Sequence, residues 1–318
     1  MDNSSPDVSV IITTYNVEHY IERAIESALN QQGVTLEIII VDDCSSDNTW
    51  QIICNNTDER IKCKKMENNS GPGAARNAAI AMATGKWLAI LDGDDAFLPG
   101  RLLRCLALAD ARQADIIVDN LMVYNEADQK QSLMFPEKSL AAIDKLNLPT
   151  FLLEKVAGTN YVLGYVKPII QLGFLRKHNI IYDTELRVGE DYIFLAEALA
   201  SGAVCTIEPI AGYRYTVRTG SISHRLSLID LERILAADKK FNDKYKLDKA
   251  SLAAQKIRNA SFKKEYYFLM QVNALKNKNI IEFLRVIWLY PPATMLLLRL
   301  LCIVTKRLFI TTNKPKLA

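Results

Sequence analysis

The sequence has only three histidines in 318 residues, and no two of its six cysteines form a C-x-x-C pair. Zinc-site spacing and a disulfide framework are therefore missing. Cys44, Cys54, Cys63, Cys105, Cys205 and Cys302 read as reduced thiols of a cytosolic protein. A P-loop kinase is excluded, because no G-x-x-x-x-G-K-[ST] occurs. Residues 71–76, G-P-G-A-A-R, lack the third glycine of G-x-G-x-x-G, which excludes a dinucleotide-binding dehydrogenase. No charged segment followed by an apolar run opens the chain, so no secretory leader is expected. Internal repeats and low-complexity tracts are missing too. What remains is globular, with 49% hydrophobic and 24% charged residues and material for a sizeable core.

The net charge of +3 conceals an uneven distribution. Residues 239–318 hold 17 Lys/Arg against 4 Asp/Glu, whereas residues 1–238 hold 22 against 32. An acidic body with a basic tail directs the tail toward something anionic. Nucleic acid is disfavoured, since no aromatic and glycine pattern of a single-strand binder is organised there. Residues 286–298, V-I-W-L-Y-P-P-A-T-M-L-L-L, are uncharged and apolar, but Pro291, Pro292 and Arg299 interrupt any simple span. The expectation is a segment lying in a membrane interface, with a spanning helix and a packed soluble helix as alternatives. That puts the protein in the cytoplasm, peripheral at the inner face of the membrane.

Strand and helix patterns alternate through the first half. Apolar runs at 8–13, 36–41, 86–91 and 115–123 read as strands, 61–66 as a further strand between the second and fourth, and 17–31, 73–83 and 100–111 as helices. Asp47 or Asn48 is set to cap a further helix between the second and third strands. Continuous apolar strands with intervening helices imply an α/β fold with a mostly parallel sheet covered on both faces. Ligands of such sheets bind at the carboxyl ends of the strands, here residues 13–16, 42–46, 69–73 and 92–95. Residues 125–185 are hard to read, and from 227 onward the pattern is helical. The expected division is a catalytic domain over 1–226, in halves 8–123 and 124–226, followed by a helical basic region over 227–318.

D-G-D-D at 92–95 supplies three carboxylates directly after a buried strand. Like charges this close repel unless a cation neutralises them, and oxygen ligands suit Mg²⁺ or Mn²⁺. A solvated acidic turn is the competing explanation. The wider context decides between them. V-S-V-I-I-T-T-Y-N at 8–16, I-I-V-D-D-C-S-S-D at 39–47, N-N-S-G-P-G-A-A-R-N at 68–77 and G-K-W-L-A-I-L-D-G-D-D at 85–95 occur in order, followed by V-G-E-D-Y-I-F at 188–194 and S-I-S-H at 221–224. This ordered set resembles a non-processive, inverting family 2 glycosyltransferase with the GT-A fold, over roughly residues 8–225.

The resemblance implies roles for individual positions. Thr13 and Tyr15 would bracket the nucleobase of a nucleotide-sugar, most readily a UDP-sugar, with Asp43 accepting a hydrogen bond from it. Arg76 would meet the diphosphate after a glycine-rich loop, as would Arg218 and Ser223. Asp94 would hold the ribose or share the metal, Asp95 would ligate Mn²⁺ or Mg²⁺ directly, and His224 would complete the metal site. Asp92 opens the D-x-D, and its rank against Asp95 stays open. Asp191 would be the base that takes the proton from a glycan or lipid-linked acceptor, with Glu190 beside it. Thr13 stands where many members carry proline, and the Q-x-x-R-W of processive relatives is missing, so one sugar is expected per encounter. The rival enzyme is a sugar-phosphate nucleotidyltransferase, whose Gly/Arg/Lys-rich first loop is replaced here by T-T-Y-N-V-E. A non-catalytic nucleotide-sugar-binding protein is the other alternative.

Overall fold

The computed structural model describes residues 5–153, 163–218 and 226–295. Four strands, β1 (Val8–Thr14), β2 (Leu36–Asp42), β3 (Ile61–Lys65) and β4 (Trp87–Asp92), run parallel in the order β3-β2-β1-β4. β1, β2 and β4 are buried along almost their whole length, which is why their sequences are rich in Val, Ile and Leu. Glu37 in β2 accepts hydrogen bonds from Ser9, Lys62 and Thr84 and so ties three neighbours together. Between the strands lie α1 (Ile21–Leu29), α2 (Thr49–Cys54) and α3 (Pro72–Met82).

α1 starts four residues later than its apolar pattern suggests. The Val17 amide donates to Thr49 Oγ1 and the Glu18 amide to Asp47 Oδ2, so side chains at the start of α2 and just before it claim the first donors of the expected helix. Asn48 occupies the N-cap of α2 without a side-chain cap bond. Asp47 does that work instead, accepting from the Thr49 amide at 3.0 Å.

The second half reverses the simple parallel plan. β4 leads through β5 (Ala96–Phe97) and α4 (Arg101–Arg112) to β6 (Ile116–Asn125), which forms a hairpin with β7 (Lys130–Leu133). Short helices α5 (Glu137–Ala141) and α6 (Leu148–Leu153) follow. β8 (Ile169–Gln171) inserts antiparallel between β4 and β6, and α7 (Leu172–His178) continues from it. After α8 (Glu190–Ala200), β9 (Cys205–Val217) runs parallel to β6 and antiparallel to β5. The sheet of the described residues has nine strands and is mixed, with its longest parallel run in the first half.

β9 is not apparent from the sequence, because Pro209 and Gly212 interrupt its pattern. The register against β6 shifts at Asn120, and Asn120 Nδ2 bonds the Pro209 carbonyl across the irregularity. Gly212 is required by close approach, since a Cβ there would stand 2.2 Å from Asp119 Oδ2.

The helical C-terminal region consists of α9 (Leu228–Lys244), α10 (Lys249–Lys276) and α11 (Ile280–Leu289). Ser227 caps α9 with a reciprocal Ser227–Asp230 capping box, and Asp248 caps α10. The boundary expected at residue 227 does not mark a separate core. Ile234, Ala237, Phe241 and Ala254 join the same buried cluster as Val10, Ile90 and Phe194. The part of the expected interfacial segment beyond residue 295 lies outside the described residues.

Candidate active site

The carboxyl ends of β1, β2 and β4 open on a cleft of about 680 Å³. Thr13, Tyr15, Asp43, Arg76, Asp92, Asp94, Asp95, Glu190, Asp191 and Arg218 all line it. The structure therefore gathers every described residue singled out from the sequence. Ser223 and His224 fall outside the described residues.

The D-G-D-D turn is held from below. Gly93 donates its amide to the Thr13 carbonyl, and a Cβ at this position would stand 2.9 Å from Thr14 Cγ2. Only glycine lets the turn settle on β1. Its three carboxylates then meet different fates. Asp92 is gripped by Arg76 at 2.7 Å and by Lys167 at 2.7 Å. Burial alone would raise its carboxyl, but those two cations hold it below the usual range. Asp94 pairs with Arg218 at 2.7 Å, and the Arg218 guanidinium lies 5.2 Å from the Tyr20 ring. Asp95 is buried, and its oxygens accept from Tyr213 Oη and the Thr216 amide, each at 2.7 Å. Burial, reinforced by Asp94 and Asp92, pushes its carboxyl well above the ordinary value.

Across the cleft, α8 begins with Glu190 and Asp191. Arg76 Nη1 reaches Glu190 at 2.7 Å and Asp191 at 3.2 Å, while Lys167 Nζ reaches Asp191 at 2.6 Å. Two cations and three carboxylates thus form one cluster carrying a formal charge of −1. Burial would lower the Lys167 ammonium, but Asp191 and Asp92 hold it above its ordinary value. Burial, together with Asp191, raises the Glu190 carboxyl.

This geometry changes two expectations. Arg76 is buried and committed to Asp92 and Glu190, so it ties the two acidic loops together instead of standing open to a diphosphate. Asp43 spends its oxygens on the Ser70 and Gly71 amides, both at 2.7 Å, and thereby shapes the loop before α3. Tyr15 is exposed and lines the cleft.

Several cleft residues were not foreseen. Lys167 sits in the stretch Y-V-K-P-I-I, where the single hint was one charge in an apolar run. Arg187 bonds Asn69 over the same loop that Asp43 organises. Tyr165 and Tyr215 form an edge-to-face pair, 5.7 Å between centroids, on another wall. Ile234 of α9, with Arg258 and Phe262 of α10, completes the lining, so the C-terminal helices are part of the cleft.

The model of the glycosyl transferase family 2 matches residues 9–160. The chain is 43% identical over 276 residues to the succinoglycan biosynthesis protein ExoO of Rhizobium meliloti (strain 1021), covering 86% of this chain and 79% of that protein. The chain belongs to glycosyl transferase family 2. A second relative in this family of glycosyltransferases is the Escherichia coli UDP-Glc:alpha-D-GlcNAc-diphosphoundecaprenol beta-1,3-glucosyltransferase WfaP, 31% identical over 57% of this chain and 77% of that protein. Among solved structures, Staphylococcus aureus TarS 1–349 with UDP-GlcNAc superposes with a TM-score of 0.64 at 22% identity, over 88% of this chain and 79% of that one. That likeness establishes the GT-A fold for this glycosyltransferase. ExoO acts in succinoglycan biosynthesis.

Members of the family generally use a divalent metal. Among the described residues no group of three His, Cys, Asp or Glu side chains is disposed to hold one. Asp94 still fits such an ion, because it offers a carboxylate at the cleft wall and substrate phosphate oxygens commonly complete the coordination. Asp95 fits less well, with both oxygens engaged by β9.

Proposed function

We propose that this glycosyltransferase moves one sugar, with inversion, from a UDP-sugar to a glycan or lipid-linked saccharide during surface or exopolysaccharide assembly. The observation that carries the reading is the Asp191 carboxylate, which lines the cleft and is oriented by Lys167 and Arg76. The acceptor hydroxyl gives its proton to Asp191 as its oxygen bonds to the anomeric carbon. The bond from that carbon to the diphosphate breaks, and the nucleoside diphosphate leaves. Glu190 acts through Arg76, fixing the guanidinium that steadies Asp191 and Asp92.

On the donor side, Thr13 and Tyr15 flank the nucleobase beside the loop that Asp43 holds. Arg218 contacts the diphosphate, a role the resemblance extends to Ser223. Asp94, with His224, would hold Mn²⁺ or Mg²⁺, which would neutralise charge developing on the leaving group. The UDP-sugar assignment draws on the donors named for TarS and WfaP, and the lipid-linked acceptor on the name of WfaP.

The test is thermal unfolding with a panel of nucleotide-sugars and Mn²⁺, followed by turnover with the donor that stabilises the fold. UDP-sugars should raise the midpoint. Asp191→Asn should keep that shift while losing roughly 10²- to 10⁴-fold in kcat, the usual contribution of a general base. A wild-type rate in Asp191→Asn would remove Asp191 from the reaction. Release of pyrophosphate from a nucleoside triphosphate would favour a nucleotidyltransferase instead.

A further inference from the structure

α11 docks on α10 by one side only. Val286 is fully buried there, Tyr290 stacks on Tyr267 with centroids 4.9 Å apart, and Gln271 of α10 bonds Thr294 just beyond α11. The opposite side carries Ile280, Ile281, Leu284 and Trp288, exposed by 69%, 83%, 59% and 81%. Positions 281, 284 and 288 follow helical spacing, so these side chains form one continuous apolar stripe. An exposed stripe of this kind, with an indole at its end, is unusual for a water-facing surface.

Charge says what covers it. Residues 249–289 hold eight Lys/Arg against two Asp/Glu, and Lys256, Lys263, Lys276, Lys278 and Arg285 are exposed. Lys276 and Lys278 sit at the turn into α11, and Arg285 lies on α11 beside Leu284. A second copy of the chain pairing through this stripe would bring the same basic rim against itself, which disfavours a dimer. At about 1.5 Å per residue, the ten-residue α11 is about 15 Å long and too short to cross a bilayer core. Among the described residues no helix is long and apolar enough to do so.

We propose that the outer face of α11 lies flat in the interface of an anionic lipid bilayer, with Ile281, Leu284 and Trp288 among the acyl chains and the lysine rim at the headgroups. Trp288 suits this position, since its ring is apolar and its N–H reaches polar headgroups. The attachment also bears on the cleft. α10 supplies Arg258 and Phe262 to the cleft wall and carries α11 on its far half, so one helical unit joins the active site to the lipid surface. This inference stands on the helix surface and does not depend on the transfer chemistry.

The experiment is flotation of the full chain with phosphatidylcholine vesicles, with and without phosphatidylglycerol. The wild type should float with anionic vesicles at low salt, and less so when salt shortens the screening length. Leu284→Asp combined with Trp288→Asp should weaken partitioning at least tenfold, while far-UV dichroism and the unfolding midpoint stay as in the wild type. Lys276→Glu with Lys278→Glu and Arg285→Glu, a second exposed set, should abolish the preference for phosphatidylglycerol. Brominated lipid should quench wild-type fluorescence and spare Trp288→Phe, whose remaining Trp50 and Trp87 lie elsewhere. Failure of the wild type to float, or equal flotation of the Leu284/Trp288 variant, would overturn the proposal. So would a wild-type dimer that the same variant converts to monomer, which would assign the stripe to a second copy.

Discussion

Two buried charge clusters lie close together in this molecule, and they differ in one respect. Arg101 and Asp119 form a closed pair. Nε and Nη2 of Arg101 meet the two Asp119 oxygens at 2.8 Å each, with Phe97 and Tyr213 against the guanidinium and no access to the cleft. The Arg76–Lys167 cluster holds the same groups with one carboxylate in excess, and it opens on the cavity. A bidentate pair balanced in charge serves the fold. An unbalanced one at a cavity wall leaves an anion available for chemistry. The two are connected, because Arg101 Nη2 also donates to the Lys167 carbonyl at 2.6 Å. The closed pair therefore holds the backbone from which the open cluster's lysine projects.

Substitutions should separate the two. Arg101→Met should have the largest effect on stability, about 3–5 kcal/mol, because it strands Asp119 in a dry site. Chemical denaturation would measure it, and a loss below 1 kcal/mol would mean the pair is not the strut described here. Lys167→Met should cost less, about 1–3 kcal/mol, since the remaining carboxylates face the cleft and can draw on water or protons. Its kcat should nevertheless fall at least tenfold with the donor-induced shift of the midpoint retained. That split marks a positioning residue, whereas Arg101→Met should be recognised first by its denaturation curve.

Asp94 and Asp95 sharpen the contrast within the acidic turn. Asp94→Asn should abolish the dependence of donor stabilisation on Mn²⁺, followed by a thermal-shift titration of the metal. Asp95→Asn should retain that dependence, because its oxygens already serve Tyr213 and Thr216. Retention in both variants would move the metal elsewhere.

The smallest expected effect belongs to Glu37, a charge far from the cleft. Burial would raise its carboxyl, but hydrogen bonds from Lys62, Ser9 and Thr84 hold it down at about 2, against an ordinary 4.5. A folded value below the unfolded one stabilises the protein above pH 4.5, and that stability is lost as pH falls toward 2. Glu37→Gln should therefore cost about 1–2 kcal/mol at neutral pH, discounted for partial solvent screening. The gap between variant and wild type should close on acidification. A gap that widens instead would reverse the sign given to this group.

The sequence by itself determined the parallel strands β1, β2 and β4, because each is a largely apolar run whose burial is local and repetitive, whereas β3, I-K-C-K-K, lies exposed at the sheet edge and carries little apolar signal. It also determined the acidic turn and the G-E-D pair, since both interrupt such patterns with charge. Tertiary structure alone decided how those charges are used. β8 runs antiparallel to β4 with Ala89 opposite Ile169, so the chain before β8 passes the carboxyl end of β4 and delivers Lys167 to Asp92. No spacing rule in the sequence links residue 167 to residue 92. Likewise the Pro209–Gly212 irregularity hides β9, yet β9 supplies the Tyr213 hydroxyl and Thr216 amide that engage both Asp95 oxygens. Local pattern fixes which segments pair and where charge interrupts them. Which cation meets which carboxylate depends on strand order and direction, and those are properties of the assembled sheet.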